Sequence, residues 1–172
     1  VSIAAEANAT EGSRTAQLSF SSFGTVRSAT VTQRGPKRAW NEWKEDEITS
    51  RDPDTDQTGP NDSPAGDGIP NLLKYATGLD PLKPCGSVVR VTAEGAGGDA
   101  CLVLGWPVNP EATGIRHAVE ASEDLQTWTE TAEVETEGKS SATFRDAVPM
   151  NAESPRRRFL RLKISREGES PL

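Results

Sequence analysis

The chain has 172 residues, a net charge of −7, 34% hydrophobic residues and only 5% aromatic residues. The acidity disfavours nucleic-acid binding, because a polyanion attracts surfaces rich in Lys and Arg. No stretch approaches the run of about 18 apolar residues that a membrane-spanning helix needs, and the sequence does not open on a signal peptide. Because Val1 falls within a strand pattern, we expect the chain to be the C-terminal portion of a longer protein.

The first 35 residues predict short antiparallel strands. Apolar residues alternate with polar ones over residues 1–5, 16–20 and 26–33, and clusters of turn-forming residues separate these segments. Alternation with a period of two is typical of strands that bury one face.

The next segment predicts two helices separated by an irregular stretch. Residues 38–48 place Trp40, Trp43 and Ile48 near one helical face, which we interpret as docking this segment onto a sheet. Residues 50–68 are crowded with Asp, Pro and Gly and exclude regular structure. A short second helix over 71–77 is expected to stop at Gly78.

The remainder predicts six short strands and therefore a small antiparallel sandwich. The candidate strands are residues 88–93, 101–106, 115–122, 127–134, 141–145 and 158–165. In the last strand the apolar residues point one way and the basic residues the other. We interpret the basic cluster as the solvent-exposed face of this strand and of its entry loop, able to neutralise the acidic connector. The cluster comprises Arg156, Arg157, Arg158, Arg161 and Lys163.

Residues 67–81, DGIPNLLKYATGLDP, resemble the calcium loop of dockerin-like and thrombospondin type 3-like modules. In that motif, carboxylates at alternating positions and a closing acid supply the oxygens that calcium prefers. Here Ser63 and Ala65 stand at the first two acid positions and Lys74 at the closing one, where a cation would oppose a metal. The resemblance implies a joint that precedes a C-terminal module.

Two interpretations of the acidic residues in this region stay open. In the first, an irregular cage of oxygens binds calcium, with the candidate ligands Asp52, Asp54, Asp56, Asp62, Asp67 and Asn71. In the second, Asp and Gly only form turns, and Asn71 caps the second helix.

Two further segments resemble extracellular modules. Residues 117–128, HAVEASEDLQTW, and 158–162, RFLRL, resemble strands of the immunoglobulin-like sandwich that follows such joints. Asn8, residues 14–16 and residues 29–33, ATVTQ, resemble the last strands of a BACON domain. The resemblances imply an incomplete BACON-like segment over 1–35, a connector over 36–84 and a sandwich over 85–172. They also imply a secreted or surface-displayed bacterial protein.

Five side chains have two interpretations each. Cys85 and Cys101 form either a disulfide that closes a loop of about 15 residues or two separate half-buried thiols. Trp106 and Trp128 belong to the core or form a platform on which a sugar stacks. His117 stands where the sandwich family has Tyr, which favours a packing role over a catalytic or metal-binding one.

These observations favour a protein that is not an enzyme, because His117 is the only histidine and no nucleophile, phosphate-binding or zinc motif accompanies it. We expect a non-catalytic structural or interaction module outside the cell or at its surface. One alternative is a carbohydrate-binding accessory module of a glycan-degrading protein, whose partner is a polysaccharide. The other is a self-assembling surface protein that pairs β-strands with neighbouring subunits.

Overall fold

The structure, a computed structural model, describes residues 14–22, 25–33, 37–150 and 157–168. Within these ranges the protein is mainly β, with eight strands in three antiparallel sheets and two short α-helices. This confirms the expected mainly-β class with a short helical connector. The chain divides into two compact units, 1–38 and 39–172, so the connector and the C-terminal strands belong to one unit. The strand expected over 1–5 lies outside the described residues.

The first unit contains a β-ribbon formed by β1 (Arg14–Ser22) and β2 (Thr25–Gln33). The two strands pair antiparallel over their full length, with Ala16 opposite Val31 and Leu18 opposite Ala29. This register places four apolar residues on one face of the ribbon, as the alternation predicted.

The connector begins with α1 (Trp40–Lys44), which continues into a π-helical turn at Glu45–Thr49. The amide of Ser50 donates to the carbonyl of Glu45 at 2.8 Å, a bond over five residues that widens the helix. Trp43 and Ile48 are also five residues apart, so the wider turn keeps Ile48 on the tryptophan face. Trp43 and Ile48 are both buried.

The second helix, α2 (Asn71–Thr77), has the predicted bounds and ends at Gly78 in the left-handed conformation, with φ of 73°. The expected cap is wrong: Pro70, not Asn71, is the N-cap, and its carbonyl accepts the amide of Lys74 at 3.1 Å. Asn71 is therefore the first helical residue, and its side chain is free to reach other loop carbonyls.

Six strands form the C-terminal sandwich: β3 (Arg90–Glu94), β4 (Cys101–Pro107), β5 (Ile115–Ser122), β6 (Thr129–Glu133), β7 (Ser141–Pro149) and β8 (Phe159–Arg166). One sheet has the order β3-β4-β7 and the other the order β6-β5-β8. Residues of both sheets share one apolar core, which contains Leu104, Trp106, Val119, Ala142, Leu160 and Leu162. The inward alternation predicted for β8 is thereby confirmed.

A second apolar cluster joins the connector to the sandwich. Trp40, Trp43 and Tyr75 pack with ring centroids 5.3 to 5.6 Å apart. Ile115 of β5 and Ile164 of β8 pack against this cluster. The interpretation that the two tryptophans dock the connector onto a sheet is therefore confirmed.

Candidate functional site in the connector

The buried carboxylate of Asp67 organises the loop that precedes α2. Its Oδ1 accepts the Ser63 hydroxyl at 2.9 Å and the amide of Ile69 at 3.0 Å. Its Oδ2 accepts the amide of Cys85 at 2.9 Å. Gly68 has φ of +73°, which a residue with a side chain rarely adopts, so glycine is needed for this turn. Asp67 thus ties the loop to the segment that leads into β3.

The ammonium of Lys74 is fully buried beside this carboxylate. Its Nζ lies 2.8 Å from Oδ2 of Asp67, with side-chain exposures of 0% for Lys74 and 5% for Asp67. It also donates to the carbonyls of Lys83 at 3.0 Å and Pro81 at 3.3 Å. An ammonium has three protons to donate, and three oxygens receive them here. We call this arrangement the Lys74 cage.

The cage holds Asp67 as a carboxylate. The hydrogen bond from Lys74 lowers the pKa of Asp67 well below its usual range, and the amides of Cys85 and Ile69 act in the same direction against the effect of burial. The opposite charges therefore neutralise each other inside the protein, which is the condition under which buried ions are tolerated.

The other acids proposed as calcium ligands do not join Asp67. Asp62 accepts the amide of Gly59 at 2.7 Å, a turn-forming contact. Asp52 is half-buried, whereas Asp54 and Asp56 are exposed. Within the described ranges, no three Asp, Glu, His or Cys side chains form a group that could hold a metal ion.

Asn71 is also turned away from metal binding. Its Nδ2 donates to the carbonyls of Gln57 at 3.1 Å and Gly59 at 3.0 Å. A calcium ion would need the side-chain oxygen beside those carbonyls, because calcium binds oxygen ligands. The buried Oδ1 of Asn71 has no hydrogen-bond partner in the described part of the chain.

The residues of this loop therefore do not fit the calcium ion that the resemblance implies. Asp67 is the one acid that faces the centre of the cage, and the positive charge there already belongs to Lys74. The alternative interpretation, in which Asp and Gly form turns, describes the backbone correctly. It does not include the ion pair between Asp67 and Lys74, because from the sequence Lys74 was considered only as a cation that opposes metal binding.

Polar contacts fasten α2 to the sandwich. The Tyr75 hydroxyl accepts the amide of Thr113 at 2.9 Å and donates to the carbonyl of Thr113 at 3.0 Å. Asn109 donates through Nδ2 to the carbonyl of Tyr75 and through its amide to the carbonyl of Ala76, both at 2.9 Å. Neither contact was foreseen, since residues distant in sequence form them without any local pattern.

An exposed ion pair links the residues that follow the π-helical turn to the residues that follow α2. Arg51 donates from both terminal nitrogens to the two oxygens of Asp80, each at 3.0 Å, and also reaches Glu47. The hydrogen bond from Arg51 lowers the pKa of Asp80 to about 2. The connector therefore returns upon itself instead of forming an extended linker.

Trp106 lies in the sandwich core and is not a sugar platform. Only 3% of it is exposed, and its Nε1 donates to Nδ1 of His117 at 3.1 Å. Its ring therefore belongs to the core, the first of its two interpretations. His117 is buried as well, which agrees with its predicted packing role, and burial lowers its pKa.

Trp128 is half-buried, and a charged side chain covers its ring. The guanidinium carbon of Arg161 lies 4.1 Å from the ring centroid. Arg161 and Lys163 both donate to Glu120 at 2.8 Å. Burial alone would raise the pKa of Glu120, but these two hydrogen bonds outweigh it and lower the pKa. One ring face of Trp128 is thus occupied by a side chain of the protein itself.

The basic cluster neutralises acids of the sandwich, not those of the connector. Arg158 donates to both oxygens of Asp146, at 2.6 and 2.8 Å, and this contact lowers the pKa of the buried carboxylate. Arg161 and Lys163 pair with Glu120 of β5, and their side chains are 50% and 37% exposed, as expected of a solvent-exposed face. The expected partner is different, because the acids that these residues neutralise are buried in the sandwich strands. Arg156 lies outside the described residues.

Cys85 and Cys101 are two free thiols in the structure. Cys101 pairs with Glu94 at the turn end of the β3–β4 hairpin, whereas Cys85 precedes Arg90 at the open end. Cys85 is instead held at the connector, where its amide donates to Oδ2 of Asp67 at 2.9 Å.

An open depression lies beside the β5–β6 turn and has a polar lining. It has a volume of about 460 Å³, and its lining includes Ser122, Glu123, Asp124, Thr127, Thr129, Thr131 and Arg158. Asp124 already accepts the amides of Thr127 and Gln126, which lower its pKa to about 2. The Asp124 carboxylate is therefore engaged within the turn.

None of the helices in the described part of the chain has the length and apolarity that crossing a membrane requires. Comparisons of the sequence with models of protein families and with curated proteins, and of the structure with solved structures, find no match.

Proposed function

We propose that this chain is a non-catalytic structural or interaction module of a secreted or surface-displayed bacterial protein. Its connector and sandwich would act as one rigid body that presents neighbouring domains at a fixed orientation. The resemblances to extracellular joints and immunoglobulin-like sandwiches support the location and the class.

The observation that carries the proposal is the fusion of the connector to the sandwich. A flexible linker would expose its apolar residues and its backbone. Instead, Tyr75 is fully buried, and its hydroxyl bridges the amide and the carbonyl of Thr113. Within the connector, the amides of Asn71 and Leu72 in the first turn of α2 donate to the loop carbonyls of Asp62 and Pro60 at 2.8 and 2.9 Å.

Native-state hydrogen exchange on the full chain tests this rigidity. The amides of Asn71 and Leu72 should require the same opening free energy as those of Val108 and Val134 in the sandwich, because one cooperative unit opens as a whole. Exchange of the connector amides at a much lower free energy would show a hinge and would overturn the proposal of a rigid body.

Binding to insoluble polysaccharides separates this proposal from a carbohydrate-binding accessory role. The burial of Trp106 and the cover of Arg161 over Trp128 disfavour stacking on a sugar. We expect no retention of the chain on cellulose, chitin or xylan, and the Trp128→Ala variant should behave in the same way. Retention of the native chain that Trp128→Ala abolishes would favour the carbohydrate-binding role.

One observation favours self-assembly as a second candidate function. Among the described residues, the ribbon of β1 and β2 forms a sheet of only two strands, which is marginally stable alone in water. Val26 and Val31 are 67% and 44% exposed, so the ribbon offers apolar surface to a partner. Sedimentation over a wide concentration range tests this candidate: growth in mass that Val31→Asp suppresses would support pairing through the ribbon, and a constant monomeric mass would exclude it.

A further inference from the structure

We propose that the Lys74 cage is a cation site whose occupant is the chain's own ammonium, which makes the joint independent of metal ions. This inference rests on the proposed structural role of the connector. It turns the mismatch with calcium into a specific role for Lys74, whose ammonium would hold the oxygens of Asp67, Pro81 and Lys83 together.

The first support is the chemistry of the ligands. The Lys74 ammonium contacts one carboxylate oxygen and two backbone carbonyls, from Asp67, Pro81 and Lys83. Carboxylate and carbonyl oxygens are the same donor types that bind hard metal cations in proteins. Without a positive charge, these three oxygens would face each other in a space without water, at a high desolvation cost.

The second support is the position of the three oxygens in the chain. Asp67 lies before α2, whereas Pro81 and Lys83 lie after it, so the ammonium joins both ends of the helix. The amide of Cys85 donates to the same carboxylate and extends the connection toward β3. A single charge therefore fixes the path by which the chain enters the sandwich.

The test compares two lysines of opposite exposure. Lys139 also donates to a backbone carbonyl, that of Glu135 at 2.7 Å, but it is exposed and lies outside the cage, so it is the matched control. Lys74→Ala should lower the Tm by about 10 °C, because a buried charge loses its partner, whereas Lys139→Ala should change it by little. Equal effects of the two substitutions would overturn the proposal.

Chemical rescue then tests the cage as a cation site. Propylammonium carries the three carbons and the ammonium that alanine lacks at position 74. It should raise the Tm of Lys74→Ala by mass action and leave that of Lys139→Ala unchanged, whereas 1-propanol, which has the same length, should raise neither. Recovery with 1-propanol equal to that with propylammonium would overturn the proposal.

Two further arms keep the proposal testable should Lys74→Ala fail to fold. The Tm of the native chain should be the same with millimolar calcium and with excess chelator; a calcium-dependent rise of several degrees would overturn metal independence.

The double variant Asp67→Asn with Lys74→Met should lose less stability than the sum of its single variants, since both charges leave together. Additive losses would overturn the pairing. The hydrogen-exchange and polysaccharide-binding experiments do not depend on these results, so they test the proposed function separately.

Discussion

The indole Nε1 of Trp106 donates a hydrogen bond to Nδ1 of His117, with the two rings nearly parallel at an angle of 12°. An imidazole that accepts at Nδ1 is neutral and carries its proton on Nε2. The core of the sandwich therefore contains a titratable group that must stay uncharged for this contact to exist.

His117 makes the stability of the sandwich depend on pH in one direction. Burial lowers its pKa in the folded state below the ordinary histidine value of about 6.5. The unfolded chain thus binds the proton more readily, so this contribution to stability is complete above about pH 6.5 and is lost as the pH falls through the folded pKa. The imidazole resonances of this single histidine should titrate below those of the urea-unfolded chain. A titration at or above the unfolded value would contradict its burial.

The Tyr75 hydroxyl gives a second prediction. Tyr75→Phe keeps the ring that packs against Trp40 and Trp43 but removes two hydrogen bonds to Thr113. We expect the free energy of unfolding to fall by about 1 to 3 kcal/mol, because buried backbone groups lose their partners. Urea unfolding followed by tryptophan fluorescence measures this free energy, since all four tryptophans lie within residues 39–172, the unit that contains Tyr75. A neutral effect would mean that water reaches Thr113 and that the joint is looser than proposed.

Free thiols give a third prediction. In urea without reductant, two thiols per chain should react with a thiol reagent, because Cys85 and Cys101 are unbonded. In the folded protein both should react slowly, since Cys101 is buried and burial raises the pKa of the half-buried Cys85. Cys85→Ser should leave one reactive thiol in urea. No reactive thiol in the unfolded native chain would indicate a disulfide and contradict the two free thiols of the structure.

Patterns local in sequence predicted most of the fold. The alternation in β8 and the Gly78 stop of α2 follow from periodicity and backbone conformation, so the sequence predicted both without the structure. The π-helical turn was not predicted, although the spacing of five residues between Trp43 and Ile48 fits it better than an α-helix.

Contacts outside the periodic patterns escaped prediction. The sequence identified Lys74 as a departure from an acidic position, but only the folded chain brings the carbonyls of Pro81 and Lys83 to its ammonium. The partners of Glu120 and Asp146 were equally hidden, because a charged residue in a strand does not reveal which basic residue will reach it. The available hint was that Glu120 stands between two apolar residues in a strand.

Arg158 gives the last prediction, because it neutralises a carboxylate with almost no access to water. The exposures of the two side chains are 20% for Arg158 and 2% for Asp146. Arg158→Met keeps much of the side-chain volume and leaves Asp146 charged and buried, so the free energy of unfolding should fall by about 3 kcal/mol. Arg145→Met is the matched control: its pair with Glu94 is 3.8 Å long and mostly exposed, and its loss should cost less than about 1 kcal/mol. Urea unfolding of both variants measures the difference, which should shrink at low pH as Asp146 becomes protonated in the variant. Equal losses of unfolding free energy for the two variants would mean that water reaches Asp146. The pair of Arg158 with Asp146 would then contribute no more than a surface ion pair.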